Sequence, residues 1–169
     1  HVFLNVVGNE KKEPDGSLSN LEEANSVVDL ARKITRRDAE RLRIITFYAA
    51  QVSLIRKKLD AASLKDVTVS TVDSAQGCEA DIVIVSFVRS AAAGFLNDDR
   101  RLNVALTRAR YQLICVGNVN RLRSVARAST VRALLADAIE RSVVANVSTG
   151  LASQAIGPPA KKIKSELLS

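Results

Sequence analysis

The chain has 169 residues, 47% hydrophobic, 25% charged and 4% aromatic, and its 25 lysines and arginines exceed its 18 acids by seven. That length suits about one domain of 100–200 residues with a substantial core, and the apolar share excludes a wholly disordered chain. No apolar run approaches the roughly 20 residues of a membrane-spanning helix, two cysteines (Cys78 and Cys115) exclude a disulfide scaffold or four-cysteine zinc site, and a terminal His1 as the single histidine leaves no histidine triad.

Val2 to Val7 reads as a strand, and Gly8 to Ser19 as a polar loop with Pro14, Asp15 and Gly16 as turn residues. Ser19 or Asn20 can cap a helix whose first turn holds Glu22 and Glu23. Leu21, Ala24, Val28, Ala31 and Ile34 line one face of it, and Arg32, Lys33, Arg36 and Arg37 fall in its last turns, where the helix dipole favours cations. Arg43 to Thr46 is a short strand, Gln51 to Ala62 a second helix, and Val67 to Thr71 a β-branched strand. Asp81 to Val88 is apolar nearly throughout, the mark of a strand covered on both faces.

Gly94 to Arg110 reads as one helical unit, with Asn97 as cap, Asp98 and Asp99 in the first turn, and Leu102, Ala105, Leu106 and Ala109 as the buried stripe. Leu113 to Val116 is a strand closed by Gly117, and Asn120 to Ile139 is one or two helices. Strands alternating with helices predict an α/β fold with a mainly parallel sheet and helices on both faces. Residues 1–146 form this domain; 147–169, with Gly157, Pro158, Pro159 and the lysines 161, 162 and 164, read as a disordered C-terminal tail.

Charge is unevenly spread. Residues 61–99 hold two basic groups and six acids, whereas 100–132 hold eight arginines and no acid. An arginine-only block suits phosphate, and equally suits a solvated helix face. No G-x-x-x-x-G-K-[ST] loop and no G-x-G-x-x-G occurs, so any nucleotide chemistry must be shared with another domain. The chain has no methionine, which reads as a fragment, a processed product or an incomplete gene model. Two free thiols and no visible signal peptide point to the cytoplasm or nucleus.

Two loops carry the most specific signals. In the first, Ser70-Thr71-Val72-Asp73-Ser74-Ala75-Gln76-Gly77-Cys78-Glu79, Gly77 can take positive φ or let backbone approach a ligand. Ser70, Thr71 and Ser74 offer hydroxyls for phosphate or sugar oxygens, though such residues also serve as plain turn hydroxyls. Glu79 offers an acceptor for a ribose hydroxyl, or is a solvated loop acid. The second is Leu102-Asn103-Val104-Ala105-Leu106-Thr107-Arg108-Ala109-Arg110. Arginine near a helix C-terminus is favoured in any case. On a continuous helix Arg108 and Arg110 lie about 200° apart, so both cannot point into one cleft.

These two loops resemble motifs V and VI of superfamily 1 helicases, in the branch of the nonsense-mediated-decay helicase and senataxin. Gly94 to Arg101 fits the same branch, Ile44 to Gln51 resembles its motif IV, and Asn20 with Glu23-Ala24 resembles the helix entry before it. The match runs in order over roughly residues 1–120. It implies a RecA-like fold of the P-loop NTPase class: the second, C-terminal RecA-like half of an ATP-dependent RNA or DNA helicase or translocase. It further implies that ATP and Mg²⁺ are bound with an N-terminal RecA-like domain that carries the P-loop and the Mg²⁺ ligands. Arg108 corresponds to the motif VI arginine finger, Gln76, Gly77 and Glu79 lie near the nucleotide, and Ser70, Thr71 and Ser74 touch single-stranded RNA or DNA. Phe47 stands where the branch usually has proline, and Cys78 where it usually has a basic residue. The chain alone is expected to lack ATPase activity. The alternative is a non-catalytic nucleic-acid-binding or interaction module descended from such a helicase. No membrane partner and no metal ligand are expected on this chain.

Overall fold

A parallel strand buried on both faces must be apolar on both, and Ile44-Ile45, Val83 to Val85 and Ile114 to Val116 of the central strands meet that requirement. The computed structural model describes residues 1–38, 41–91, 94–125 and 129–147. In chain order the elements are β1 (Val2–Asn5), β2 (Lys11–Lys12), β3 (Leu18–Ser19), α1 (Leu21–Asp38), β4 (Leu42–Thr46), α2 (Ala49–Ala61), β5 (Thr68–Thr71) and β6 (Ala80–Ser86). A 3₁₀ turn (Gly94–Asn97) leads to α3 (Asp99–Leu106), followed by β7 (Ala109–Gly117), α4 (Val119–Val125), α5 (Ser129–Glu140) and β8 (Val144–Asn146). Six strands form one sheet in the order β5-β4-β6-β7-β1-β8, and every pairing in it is parallel.

Alternation along the strands sends neighbouring side chains to opposite faces. Leu4, Ile44, Ile84, Ile114 and Val116 pack under α1 and α2 with Ala24, Val27, Ala31, Ile55 and Leu59. Phe3, Ile45, Val83, Val85 and Cys115 pack on the other face with Leu102, Leu122, Val131 and Leu135 of α3, α4 and α5. Phe3 and Phe87 stack at 5.8 Å between centroids in that second layer. Burying each large aliphatic or aromatic side chain contributes about 1.5–3 kcal/mol, and both layers are dry enough to hold the sheet from either side. Helices on both faces of a parallel sheet are the architecture expected from the alternation of elements.

Three local differences from the sequence reading have physical reasons. The Gly8–Ser19 loop contains a small antiparallel hairpin, β2 with β3, closed by Gly16 at φ +82. The cap of α3 is Asp98 rather than Asn97: the Asp98 carboxylate accepts from the N–H groups of Arg100 and Arg101. Most consequentially, the helix ends at Leu106 and β7 begins at Ala109, so Arg110 stands on a strand and not on the helix. Ala80 N–H donates to the Arg108 carbonyl at 3.0 Å, and Ala80 pairs with Ala109; pairing with β6 takes these residues from the helix. The short edge strand β8 was not anticipated, and beyond it Val147 N–H still donates to the Asn5 carbonyl at 3.1 Å. The remainder of the expected tail, with its lysines, lies outside the described residues.

Candidate functional site

The register divides the chemistry-bearing residues between two edges of the sheet. Parallel strands share one direction, so the starts of β6 and β7 lie at one edge and the ends of β4, β5 and β6 at the other. Thr46 pairs with both Thr71 and Ser86 at the terminal edge, whereas Ala80 and Ala109 pair at the initial edge. The segment 72–79 runs from the first of these edges to the second and carries no helix of its own. Val72 and Ala75 anchor it in the core.

At the initial edge stand Glu79, Arg108 and Arg110, with Gly77 two residues before Glu79; Gln76 lies part-way along the 72–79 segment, against the first turns of α3. Gly77 has φ +79 with open space where a Cβ would be, so the expectation of positive φ there is met. Glu79 Oε2 accepts a hydrogen bond from Arg110 Nε at 3.1 Å, both side chains being about half exposed. Arg108 lies in the turn between α3 and β7. Its Nε donates to the Val104 carbonyl at 3.0 Å and its Nη2 to Thr107 Oγ1 at 3.2 Å. It therefore caps the C-terminus of α3, where the dipole favours a cation. Those two bonds use two of a guanidinium's five N–H donors. Gln76 is exposed and lines a cleft of about 260 Å³ with Asp73, Asp98, Arg100, Arg101 and Val104. Arg101 Nη2 donates to Asp73 Oδ2 at 2.9 Å, tying the 72–79 segment to α3.

At the terminal edge stand Ser70, Thr71 and Ser74. Thr71 Oγ1 and Ser74 Oγ are 3.1 Å apart, and Ser74 N–H donates to Thr71 Oγ1, a turn-type arrangement. Ser70 Oγ and, on β4, Thr46 Oγ1 are buried and make no hydrogen bond among the described residues. The sequence reading thus named residues at both edges, and the structure separates its nucleotide candidates from its nucleic-acid candidates.

The sequence reading missed a larger cleft at the terminal edge. A space of about 960 Å³ is lined by Glu10, Lys12, Ser17, Phe47, Tyr48, Arg89 and Gly94, among others. The hairpin forms one wall and the segment after β6 the other. Arg89 Nη1 pairs with Glu10 Oε1 at 3.1 Å, both side chains being largely buried, and its guanidinium carbon lies 6.0 Å from the Tyr48 ring centroid. Gly94 closes this corner: a Cβ there would sit 2.9 Å from Tyr48 Oη and 3.3 Å from the Arg89 guanidinium. The Pro14-Asp15-Gly16 turn was the available signal for the hairpin; nothing local in the sequence joins Glu10 to Arg89.

Beneath this cleft lies a buried polar cluster of Asn20, Glu23, Gln51 and Ser86. Gln51 was read first as an ordinary residue near a helix N-terminus and second as a weaker site candidate at the end of motif IV. Here its Oε1 accepts from Asn20 N–H at 2.8 Å, and its Nε2 donates to the Asn20 carbonyl at 3.2 Å and Ser86 Oγ at 3.1 Å. Glu23 was read as a first-turn helix acid; it is completely buried, and burial pushes its carboxyl up to about 7. Cys115 is buried with its thiol pushed up by desolvation to about 12, which leaves it an inert core residue. Among the described residues no cluster of histidine, cysteine and carboxylate side chains could hold a metal ion, and no helix is long and apolar enough to cross a membrane.

Residues 1–120 match the model of a protein family described as an AAA domain. An uncharacterized ATP-dependent helicase of Methanocaldococcus jannaschii is 42% identical over 122 residues, covering 72% of this chain and 18% of the relative. Regulator of nonsense transcripts 1 of Caenorhabditis elegans is 38% identical over 128 residues, covering 69% of this chain and 12% of the relative. The chain spans less than a fifth of the length of either. Among solved structures, the C-terminal domain of a possible DNA helicase from Lactobacillus plantarum WCFS1 superposes with a TM-score of 0.52 at 17% identity, covering 86% of this chain and 83% of that one. At that identity the likeness is one of fold.

Proposed function

We propose a function for a chain that belongs to the AAA domain family and, within it, to the superfamily 1 helicases of the nonsense-mediated-decay helicase and senataxin-like branch: it is the second RecA-like half of an ATP-dependent motor that moves along or unwinds single-stranded RNA or DNA. The observation that carries this reading is the separation of two surfaces at opposite edges of one parallel sheet, with candidates for both on the segment 72–79. A motor domain needs that separation, because nucleotide chemistry at one surface must move nucleic acid at another.

The initial edge is the nucleotide surface. ATP would lie between this edge and an N-terminal RecA-like domain that supplies the phosphate-binding loop and the Mg²⁺ ligands; this chain has no such loop. Arg108, at the end of α3, supplies a guanidinium to the γ-phosphate, where charge accumulates as the phosphoryl group departs. Such a finger contributes on the order of 10³–10⁵ in rate. Its Nε bond to the Val104 carbonyl keeps the side chain ordered, so little rotamer entropy remains to be lost on engagement. Glu79 accepts from a ribose hydroxyl, with Arg110 orienting its carboxylate; Gly77 and Gln76 bring backbone and amide to the same nucleotide.

The terminal edge is the nucleic-acid surface. Thr71 and Ser74 offer hydroxyls to the phosphodiester backbone, whereas the Ser70 hydroxyl is buried and out of reach; the cleft at the same edge, floored by the largely buried Tyr48 and Arg89, takes an unstacked base. The motor works in the cytoplasm or nucleus.

The test is nucleic-acid-stimulated ATP hydrolysis by the whole helicase that carries this domain. Arg108→Ala should lower kcat at least a hundredfold while single-strand affinity stays within threefold. A loss under threefold overturns the finger assignment. Robust ATP turnover by the 169-residue chain alone overturns the division of labour between the two domains.

A further inference from the structure

Glu23 takes no part in the reading above, yet it is the one acid in a buried cluster with Asn20, Gln51 and Ser86, and is itself 0% exposed. Its Oε2 accepts from Ser86 Oγ at 2.7 Å and from Val88 N–H at 2.9 Å, and its Oε1 accepts from Asn20 Nδ2 at 3.4 Å. All three partners are uncharged donors. Asn20 and Glu23 have the spacing of a capping box, and Asn20 Oδ1 does accept from Glu23 N–H at 3.1 Å. The glutamate side chain does not complete the box on the backbone; it turns inward to the end of β6.

What it holds there is strained. Val88 has φ +68, and Arg89 N–H donates to the Phe87 carbonyl at 2.8 Å. That combination is a γ-turn of the strained class, and a β-branched residue at positive φ is an outlier that persists only when its surroundings over-determine it. Both backbone groups of Val88 are held from α1 and its cap: its N–H by Glu23, its carbonyl by Asn20 Nδ2 at 3.3 Å. Directly after the turn come Arg89, against Tyr48 and Glu10, and the N–H groups of Ser90 and Ala91, which donate to Glu10 Oε2.

We propose that Glu23 is a positioning residue for the cleft at the terminal edge: it clamps the strained turn at Val88, and so seats Arg89 between Tyr48 and Glu10 in the wall of that cleft. This rests on the reading of that cleft as the nucleic-acid surface. An apolar side chain of similar volume would fill the space but leave the Val88 N–H and the Ser86 hydroxyl buried without an acceptor. A glycine at 88 would take the same turn without a clamp. Glu23 and Val88 are therefore a matched pair, and the match is testable.

The experiment uses the 169-residue chain, a fluorescein-labelled dT12 strand for affinity, and amide hydrogen exchange of residues 88–91 for the turn. Glu23→Gln keeps one oxygen that can serve both Ser86 and Val88 and opposes only Asn20 Nδ2, so it is the mild variant; Glu23→Leu leaves the Val88 N–H and the Ser86 hydroxyl without any acceptor. In the leucine variant exchange at 88–91 should speed up at least tenfold and dT12 affinity fall at least fivefold. Adding Val88→Gly should bring affinity back to within twofold. Glu23→Asp, which keeps the charge but withdraws the oxygens by one methylene, should repeat the defect and serves if the leucine variant does not fold. Unchanged exchange and affinity, or no rescue by Val88→Gly, overturns the proposal. Arg89→Ala separates the two layers of inference. If it weakens dT12 binding while Glu23→Leu does not, the positioning role alone falls; if it leaves dT12 binding intact, the nucleic-acid reading of the cleft falls and the proposal with it.

Discussion

Arg110 Nε donates to Glu79 Oε2 at 3.1 Å, joining the last residue of the 72–79 segment to the second residue of β7. Because β7 begins at Ala109, Arg110 points along the sheet edge rather than around a helix. The pair is half exposed, and such pairs contribute about 0–1 kcal/mol. Arg110→Gln should therefore change denaturant-unfolding stability by less than about 1 kcal/mol. In the whole helicase, if Glu79 holds the ribose, the same change should raise KM for ATP more than it lowers kcat. A larger fall in kcat than rise in KM would place Arg110 itself at the reacting phosphate.

Arg108 caps α3 through Val104, and that cap is partly solvated. Arg108→Ala in the 169-residue chain should cost no more than about 1 kcal/mol by urea unfolding, the usual size of a cation at a helix C-terminus. A loss of ATPase in the whole enzyme then reflects chemistry. A cost of several kcal/mol would mean that the arginine is needed for folding.

Two glycines resist a side chain for different geometric reasons. A Cβ at Gly8 would lie 2.6 Å from Asn20 Oδ1 and 2.8 Å from Glu22 Cβ, inside the cap of α1. Gly8→Ala should destabilise the chain by roughly 2 kcal/mol or more, by loss of the cap plus overpacking. At Gly77 there is open space but φ is +79, so Gly77→Ala meets only backbone strain of about 1–2 kcal/mol. Thermal unfolding of the two variants in parallel checks the order; equal effects would contradict both assignments.

The buried Glu23 makes stability depend on pH in an unusual direction. Burial raises its carboxyl from 4.5 to about 7, against the hydrogen bonds from Val88 and Ser86 and with a further push from the charge of Glu10, which is itself paired with Arg89. A carboxyl raised on folding binds its proton more tightly in the folded state. Its contribution to stability is thus fully present below about pH 4.5, falls as the pH rises to about 7, and is flat above. The span is on the order of 3 kcal/mol. Urea unfolding of the chain and of Glu23→Gln between pH 4.5 and 8 should show this fall in the difference between the two. A difference independent of pH would mean that Glu23 titrates as an ordinary exposed acid.

Much of the fold was legible because its determinants are local. Ile44, Ile45 and Val83 to Val85 form continuous apolar runs because parallel strands are covered on both faces, and the spacing of Ala24, Val28 and Ala31 announces the buried face of α1. The ordered motifs likewise pointed to the family, since each is a short run whose chemistry is written in adjacent residues. What the sequence left open was decided by partners distant along the chain. Whether Arg110 belonged to a helix or a strand depended on Ala80, through its bond to the Arg108 carbonyl. Glu23 looked like a solvated first-turn acid until β6, more than sixty residues on, placed Ser86 and Val88 against it. Glu10 and Arg89 meet across eighty residues of sequence to wall a cleft no local pattern announces. Periodicity reports which face of an element is buried; only the packing of elements decides which polar groups are buried with it, and therefore which of them must find each other.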